Sequence, residues 1–189
     1  MHTVYVPGTT IPFPAEGSIL QMFRPVIHAT DGLTLGQVCK LTGLEPSTVQ
    51  NWVKRGFVAH PVNKKYHDRQ LARILLIAAL RDSMMLEQIG ALMTLVNGDA
   101  DDESDDIVSE EQLYEYLCAG IARTQDRAPA ANELTELVQE LTADYAHTSP
   151  ATAQRLQDAL TVMICAWIAG QYKQVAERRF LALSADKEA

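Results

Sequence analysis

"TGLEPSTVQNWVKRG", residues 42–56, packs two glycines, a proline and a helix-sized polar run into fifteen positions. As one isolated helix it is poor, because glycine and proline punctuate it. As the turn and second helix of a helix-turn-helix it makes sense. On a helical wheel started at Val49, Trp52 and Val53 fall at about 300° and 40°, a single apolar face. Ser47, Thr48, Gln50, Asn51, Lys54 and Arg55 fill the arc from about 100° to 260°. That arc holds amides, hydroxyls and cations and no carboxylate, whereas a merely solvated helix usually mixes both signs for i,i+4 pairing. Gly56 supplies a stop, and Phe57 and Val58 return to the core.

Working outward, Leu35, Val38 and Cys39 share a helical stripe that Gly43 closes, giving the first helix of the pair. "VAHPVNKKYHD" (58–68) is short, contains proline, and has Asn63 as a turn former. It reads as a small hairpin or wing bearing Lys64, Lys65 and Tyr66. Two amphipathic helices follow, the first using Leu71, Ile74 and Leu75, the second Leu86, Ile89, Leu92 and Met93. Asn97-Gly98 stops the second.

"DADDESDD" (99–106) is a like-charge run, read as a solvated acidic linker. As a calcium loop started at Asp99 it fails, with Ser104 where the sharp turn needs glycine. Beyond it, Ser109 with Gln112 forms a capping box, Asn132 can cap a second helix, and Ser149-Pro150 opens a long one. From Ala159 to Ala169 that helix is apolar on nearly every side, which places it at the centre of a bundle or in a dimer interface. Residues 1–30 form an N-terminal arm with a short helix that Pro25 kinks or bounds.

The expected architecture is mainly all-α. A winged helix-turn-helix with a small β wing (31–98) is joined by the acidic linker (99–106) to a C-terminal helical dimerisation or effector domain (107–183). Charge supports two modules. Residues 1–95 hold nine Lys/Arg against six Asp/Glu, while residues 96–189 hold seven against eighteen. Five of the nine basic residues lie between Lys54 and Arg69. A phosphate backbone responds to such a local patch, whatever the net −8 of the whole chain.

Other function classes fit less well. Cys39, Cys118 and Cys165 are odd in number and far apart, which argues against a disulfide framework and fits a reducing, cytoplasmic setting. No signal-peptide pattern and no apolar run of membrane-spanning length is read, so no membrane partner is expected. His60 and His67 flank the wing without a third ligand, so no metal is expected. Without a glycine-rich phosphate loop, G-x-S-x-G or H-E-x-x-H, neither enzyme activity nor a cofactor is expected.

"LTLGQVCKLTGLEPSTVQNWVKRGFVAHPVNKKYHDRQLARILLIAALRDSMMLEQIGALM" resembles the DNA-binding head of the MerR family, a helix-turn-helix, a wing and a helix pair ending in a "hydrophobic-x-x-Ile" helix. "NWVKRGFVAHPVNKKY" more closely resembles a group of uncharacterised bacterial proteins, filed as a domain of unknown function, that share this head. The resemblance implies DNA contacts in the second helix and the wing. Thr48, Gln50, Asn51 and Trp52 fall where the family shows Thr-Leu-Arg-Tyr-Tyr, and Lys65 and Tyr66 match the end of the wing. Gln50 replaces an arginine and Asn51 a tyrosine, so the family's target sequence does not carry over. The family's dimerising coiled-coil helix should follow the head, but here Asn97-Gly98 and the acidic run intervene, which assigns dimerisation to the C-terminal helices.

The residues and the resemblance together predict a sequence-specific binder of double-stranded DNA, a transcriptional regulator acting as a homodimer. Its contacts would be Ser47, Thr48, Gln50, Asn51, Lys54, Arg55, Lys64, Lys65 and Tyr66. Trp52 is expected in the core, and Arg69 and Arg73 as phosphate contacts or a solvated face. The alternative is a non-enzymatic helical adaptor whose helix-turn-helix scaffold docks a protein.

Overall fold

The computed structural model describes residues 5–12, 19–98, 100, 106–124, 127–146 and 149–185. Among them the architecture is mainly helical, with α1 (Ile19–Ala29), α2 (Leu35–Thr42), α3 (Pro46–Lys54), α4 (Asp68–Leu80), α5 (Leu86–Asn97), α6 (Glu110–Arg123), α7 (Ala131–Leu141) and α8 (Pro150–Ala185). Strands β1 (Leu33–Thr34) and β2 (Lys65–Tyr66) form one antiparallel pair, Leu33 opposite Tyr66 and Thr34 opposite Lys65.

Local chemistry sets most boundaries. Thr34 caps α2 in a capping box with Gln37, and Gly43 closes it at φ +70°. Ser109 accepts from the Gln112 backbone N–H and Ser149 from that of Thr152, starting α6 and α8 at the expected residues, while the Gln112 side chain donates to the Tyr116 hydroxyl instead of closing the expected capping box. Two details differ. Pro25 lies inside α1 without ending it. Asn132 does not cap α7, which begins one residue earlier, where the Glu133 carboxylate accepts from the Ala130 amide at 2.8 Å.

α4 organises the interior. Leu71, Ala72, Ile74, Leu75, Leu76, Ile77 and Leu80 are all buried, so it is apolar around most of its circumference. It packs against α1, α2, β2 and α5 on one side and α6 and α8 on the other. One continuous core therefore runs from Val6 to Trp167, and the helices after residue 106 share it. Across the expected acidic linker the packing is continuous, because α4 contacts α6 and α8 as well as α1, α2 and α5. Residues 101–105 of that linker lie outside the described residues. Asp106, at its end, sits 3.6 Å from Arg69.

Arg69 and Arg73 are neither phosphate contacts nor a solvated face. Both turn inward onto Glu110, the wholly buried first residue of α6, with Arg69 Nε 2.9 Å from Glu110 Oε2 and Arg73 Nη1 2.9 Å from Oε1. Arg73 Nε also donates to the Phe57 carbonyl at 2.8 Å. No helix among the described residues is long and apolar enough to cross a membrane.

The shared core predicts one unfolding transition. Trp52 reports on α3 and Trp167 on α8, so Trp167→Phe and Trp52→Phe chains should give the same urea midpoint by fluorescence, relative to each variant's circular dichroism. Glu110→Ala removes the carboxylate that both guanidiniums share, leaving the buried Arg73 without its counter-charge, and should cost about 3–5 kcal/mol. Two separated midpoints within one variant would contradict a common core.

Candidate nucleic-acid interface

α3 begins with Pro46, whose missing N–H is no loss in a first turn, and ends in a glycine-closed Schellman turn. Gly56, at φ +74°, donates to the Val53 carbonyl at 3.0 Å, and Phe57 N donates to the Trp52 carbonyl at 2.9 Å. The helix buries Val49, Trp52 and Val53. Ser47, Gln50, Asn51 and Lys54 are exposed and Thr48 is half-buried, as the wheel requires. Between Pro46 and Lys54 this surface has no carboxylate; Glu45 stands just before it at the N-cap.

Arg55 belongs to a different arrangement. Its guanidinium lies 4.9 Å from the centroid of the Phe57 ring and bonds Glu87 of α5 at 2.6 Å, and that bond draws the Glu87 carboxyl below its ordinary range. Beneath them, the Phe57 ring lies against Gly90, where any Cβ would come within 2.5 Å of it. Arg55 thus fastens the end of α3 to α5.

The expected wing is a minimal turn. Val62 and Lys65 bridge, with Lys65 N donating to Val62 O at 2.8 Å, and Asn63 and Lys64 between them both have positive φ, 49° and 64°. Those are type I′ values, which match the right-handed twist of flanking strands. Asn63 and Lys64 are exposed at the tip. Lys65 is half-buried and its ammonium donates to the Thr30 carbonyl. Tyr66 is 3 % exposed, so its expected place among the surface contacts is corrected to the core. The alternation along β2 explains this: pairing with Leu33 turns Tyr66 inward and Lys65 outward.

The structure thus gathers five predicted residues on one face of α3 and sets Lys64 on a turn, with α2 packed against both α3 and β2. Lys65 and Arg55 are engaged elsewhere, and Tyr66 is inside. Residues missed by sequence reasoning are Glu87 and Phe57, which hold the helix end. Phe57 was legible only as a return to the core, and Glu87 only as one charge on a later helix.

Residues 26–117 match the family described as "Domain of unknown function (DUF1836)". The matched span runs past the acidic stretch into α6, the helix whose Glu110 holds α4. A 120-residue stretch, 60% of this chain, is 30% identical to "Uncharacterized protein YkrK" of Bacillus subtilis (strain 168) and covers 52% of it. The chain therefore spans about half the length of that relative. No solved structure matches.

Burial separates the two faces of α3 energetically. Trp52→Ala should destabilise the fold by about 3–5 kcal/mol, whereas Gln50→Ala and Asn51→Ala should stay within about 0.5 kcal/mol. Thermal or urea denaturation of the three variants measures this; a large loss for Asn51→Ala would mean its amide is structural.

Proposed function

We propose that the protein is a sequence-specific DNA-binding transcriptional regulator of the winged helix-turn-helix, MerR-like kind, acting as a homodimer in the cytoplasm. The observation that carries this reading is α3: its apolar side is wholly buried while its outward side offers amides, hydroxyls and a lysine without a carboxylate. In a major groove, Gln50 and Asn51 each have the geometry to bond an adenine edge bidentately, and Lys54 reaches guanine or phosphate. Ser47 and Thr48, near the helix start, suit phosphate oxygens, as does Lys64 on its turn. Arg55 takes a positioning role through Glu87 and Phe57.

α8 supports the homodimer. Its 36 residues extend about 54 Å, and an exposed stripe runs along it: Val162, Cys165, Ala169, Tyr172, Ala176, Phe180 and Leu183. Steps of three and four make this a coiled-coil seam. Tyr172, Phe180 and Leu183 are more than 60% exposed, a large apolar surface for a single chain. Antiparallel self-pairing centred near Tyr172 sets Val162 opposite Leu183, Cys165 opposite Phe180 and Ala169 opposite Ala176, so small residues meet large ones or each other. A two-fold dimer of this kind reads a two-fold symmetric site.

Two measurements test the reading. In duplex-DNA titrations across salt concentrations, Lys54→Ala and Lys64→Ala should each flatten the log K against log [salt] slope by about one unit. Lys65→Ala should change it less, since that ammonium already serves Thr30. Genomic fragments enriched by the wild type should be lost to Asn51→Ala/Lys54→Ala; equal recovery would defeat the α3 assignment. No duplex affinity at any ionic strength would favour the protein adaptor. In sedimentation runs Phe180→Glu/Leu183→Glu should be monomeric, and a wild-type monomer at high concentration would defeat the seam.

A further inference from the structure

A cavity of about 190 Å³ lies where residues 5–9, the α2–α3 turn, the end of α4 and the middle of α8 meet. Its walls are built. The 5–12 segment lies directly on α4, with Gly8 at φ +74° so close that a Cβ would stand 2.2 Å from the Leu75 carbonyl oxygen. Tyr114 of α6 holds that segment by donating its hydroxyl to the Pro7 carbonyl at 2.8 Å, and Thr10 N donates to the Leu41 carbonyl at 3.0 Å. Thr42 and Leu44 complete the side nearest α3.

The polar groups lining this cavity are partly unused. Trp167 is 92% buried, from its 8% exposure, yet its indole N–H bonds no described residue. Arg81 is exposed and pairs with no carboxylate among the described residues. Asp82 accepts from the Gln174 amide at 2.5 Å on one oxygen, and its other oxygen accepts from none of them. Arg81 and Asp82, adjacent in the chain, and Trp167 thus line one small space together.

We propose that this cavity binds a small zwitterion, a molecule of free amino-acid size bearing one carboxylate and one ammonium. A plain anion would meet Arg81 and the indole but be repelled by Asp82; a plain cation would face the reverse. A zwitterion satisfies both, its carboxylate toward Arg81 and Trp167 and its ammonium toward Asp82. The cavity has room for a molecule of amino-acid size. Nothing in this proposal uses DNA binding, so either reading can fail alone.

Calorimetric titration of the full chain with each standard amino acid, and with acetate and ethylammonium as single-charge probes, tests it. At least one amino acid should saturate one site per chain in the millimolar range or below and change Trp167 fluorescence in the Trp52→Phe background. Acetate and ethylammonium should each bind roughly tenfold or more weakly. Arg81→Gln, whose side chain makes no hydrogen bond or ion pair among the described residues, should weaken binding by about the same factor with the melting temperature unchanged, and Asp82→Asn should do likewise. Should Asp82→Asn lower the melting temperature, Arg81→Gln still decides. The proposal is overturned if no amino acid binds at millimolar concentration, if acetate binds as well as the best of them, or if Arg81→Gln leaves affinity intact.

Discussion

Glu110 has no exposed surface, and two guanidiniums from the neighbouring helix close on it. Burying three charges is costly, several kcal/mol per ion before attraction is counted. Here the cost is offset from several directions. Glu110 is the first residue of α6, where the helix dipole favours an anion. Asp106 stands beside Arg69, so two cations face two anions. Arg73 spends its Nε on the Phe57 carbonyl, so the same guanidinium reaches the chain just beyond α3. Apolar contacts between α4 and α6 are non-directional and would tolerate a slipped register. A carboxylate gripped by arginines one helical turn apart tolerates none. The orientation of α3 thus depends on a residue more than fifty positions later.

What the sequence made legible was local. The two faces of α3 follow from a 3.6-residue period within nine residues, and its ends from Pro46 and Gly56. The helix starts at Ser109 and Ser149-Pro150 were equally readable, because a cap and its partner are three residues apart. What escaped was decided at a distance. Arg69 and Arg73 belong to a basic patch until Glu110, some forty residues on, claims them. Tyr66 looks like a wing aromatic until its pairing with Leu33 fixes which side of a two-residue strand faces inward. The acidic run looks like a boundary in the sequence, while the packing of α4 against α6 and α8 has no sequence signature beyond an unusually apolar α4.

α8 shows both outcomes within one helix. Its all-round apolar stretch admitted either a bundle centre or an interface, and the structure buries one side of it while leaving the other exposed. Ala159, Leu160, Met163, Ile164 and Trp167 face the core, and Val162, Cys165 and Ala169 face away. Past residue 171 the core side ends while the open side continues to Leu183. An exposed stripe with no remaining intramolecular partner is what a self-pairing helix requires and a monomer would be better without.

The segment that joins these features is the turn from Arg81 to Met85. Lys173 donates its ammonium to the Asp82 carbonyl at 3.0 Å and Gln174 its amide to the Asp82 carboxylate, the last side-chain ties that α8 makes before its free part. On its other side the same turn leads into α5, whose Glu87 holds Arg55 at the end of α3. The cavity opens against Arg81 and Asp82 as well. The anchoring of α3 through Glu87 and the ties of α8 to Asp82 therefore share one short segment of about seven residues, from Arg81 to Glu87.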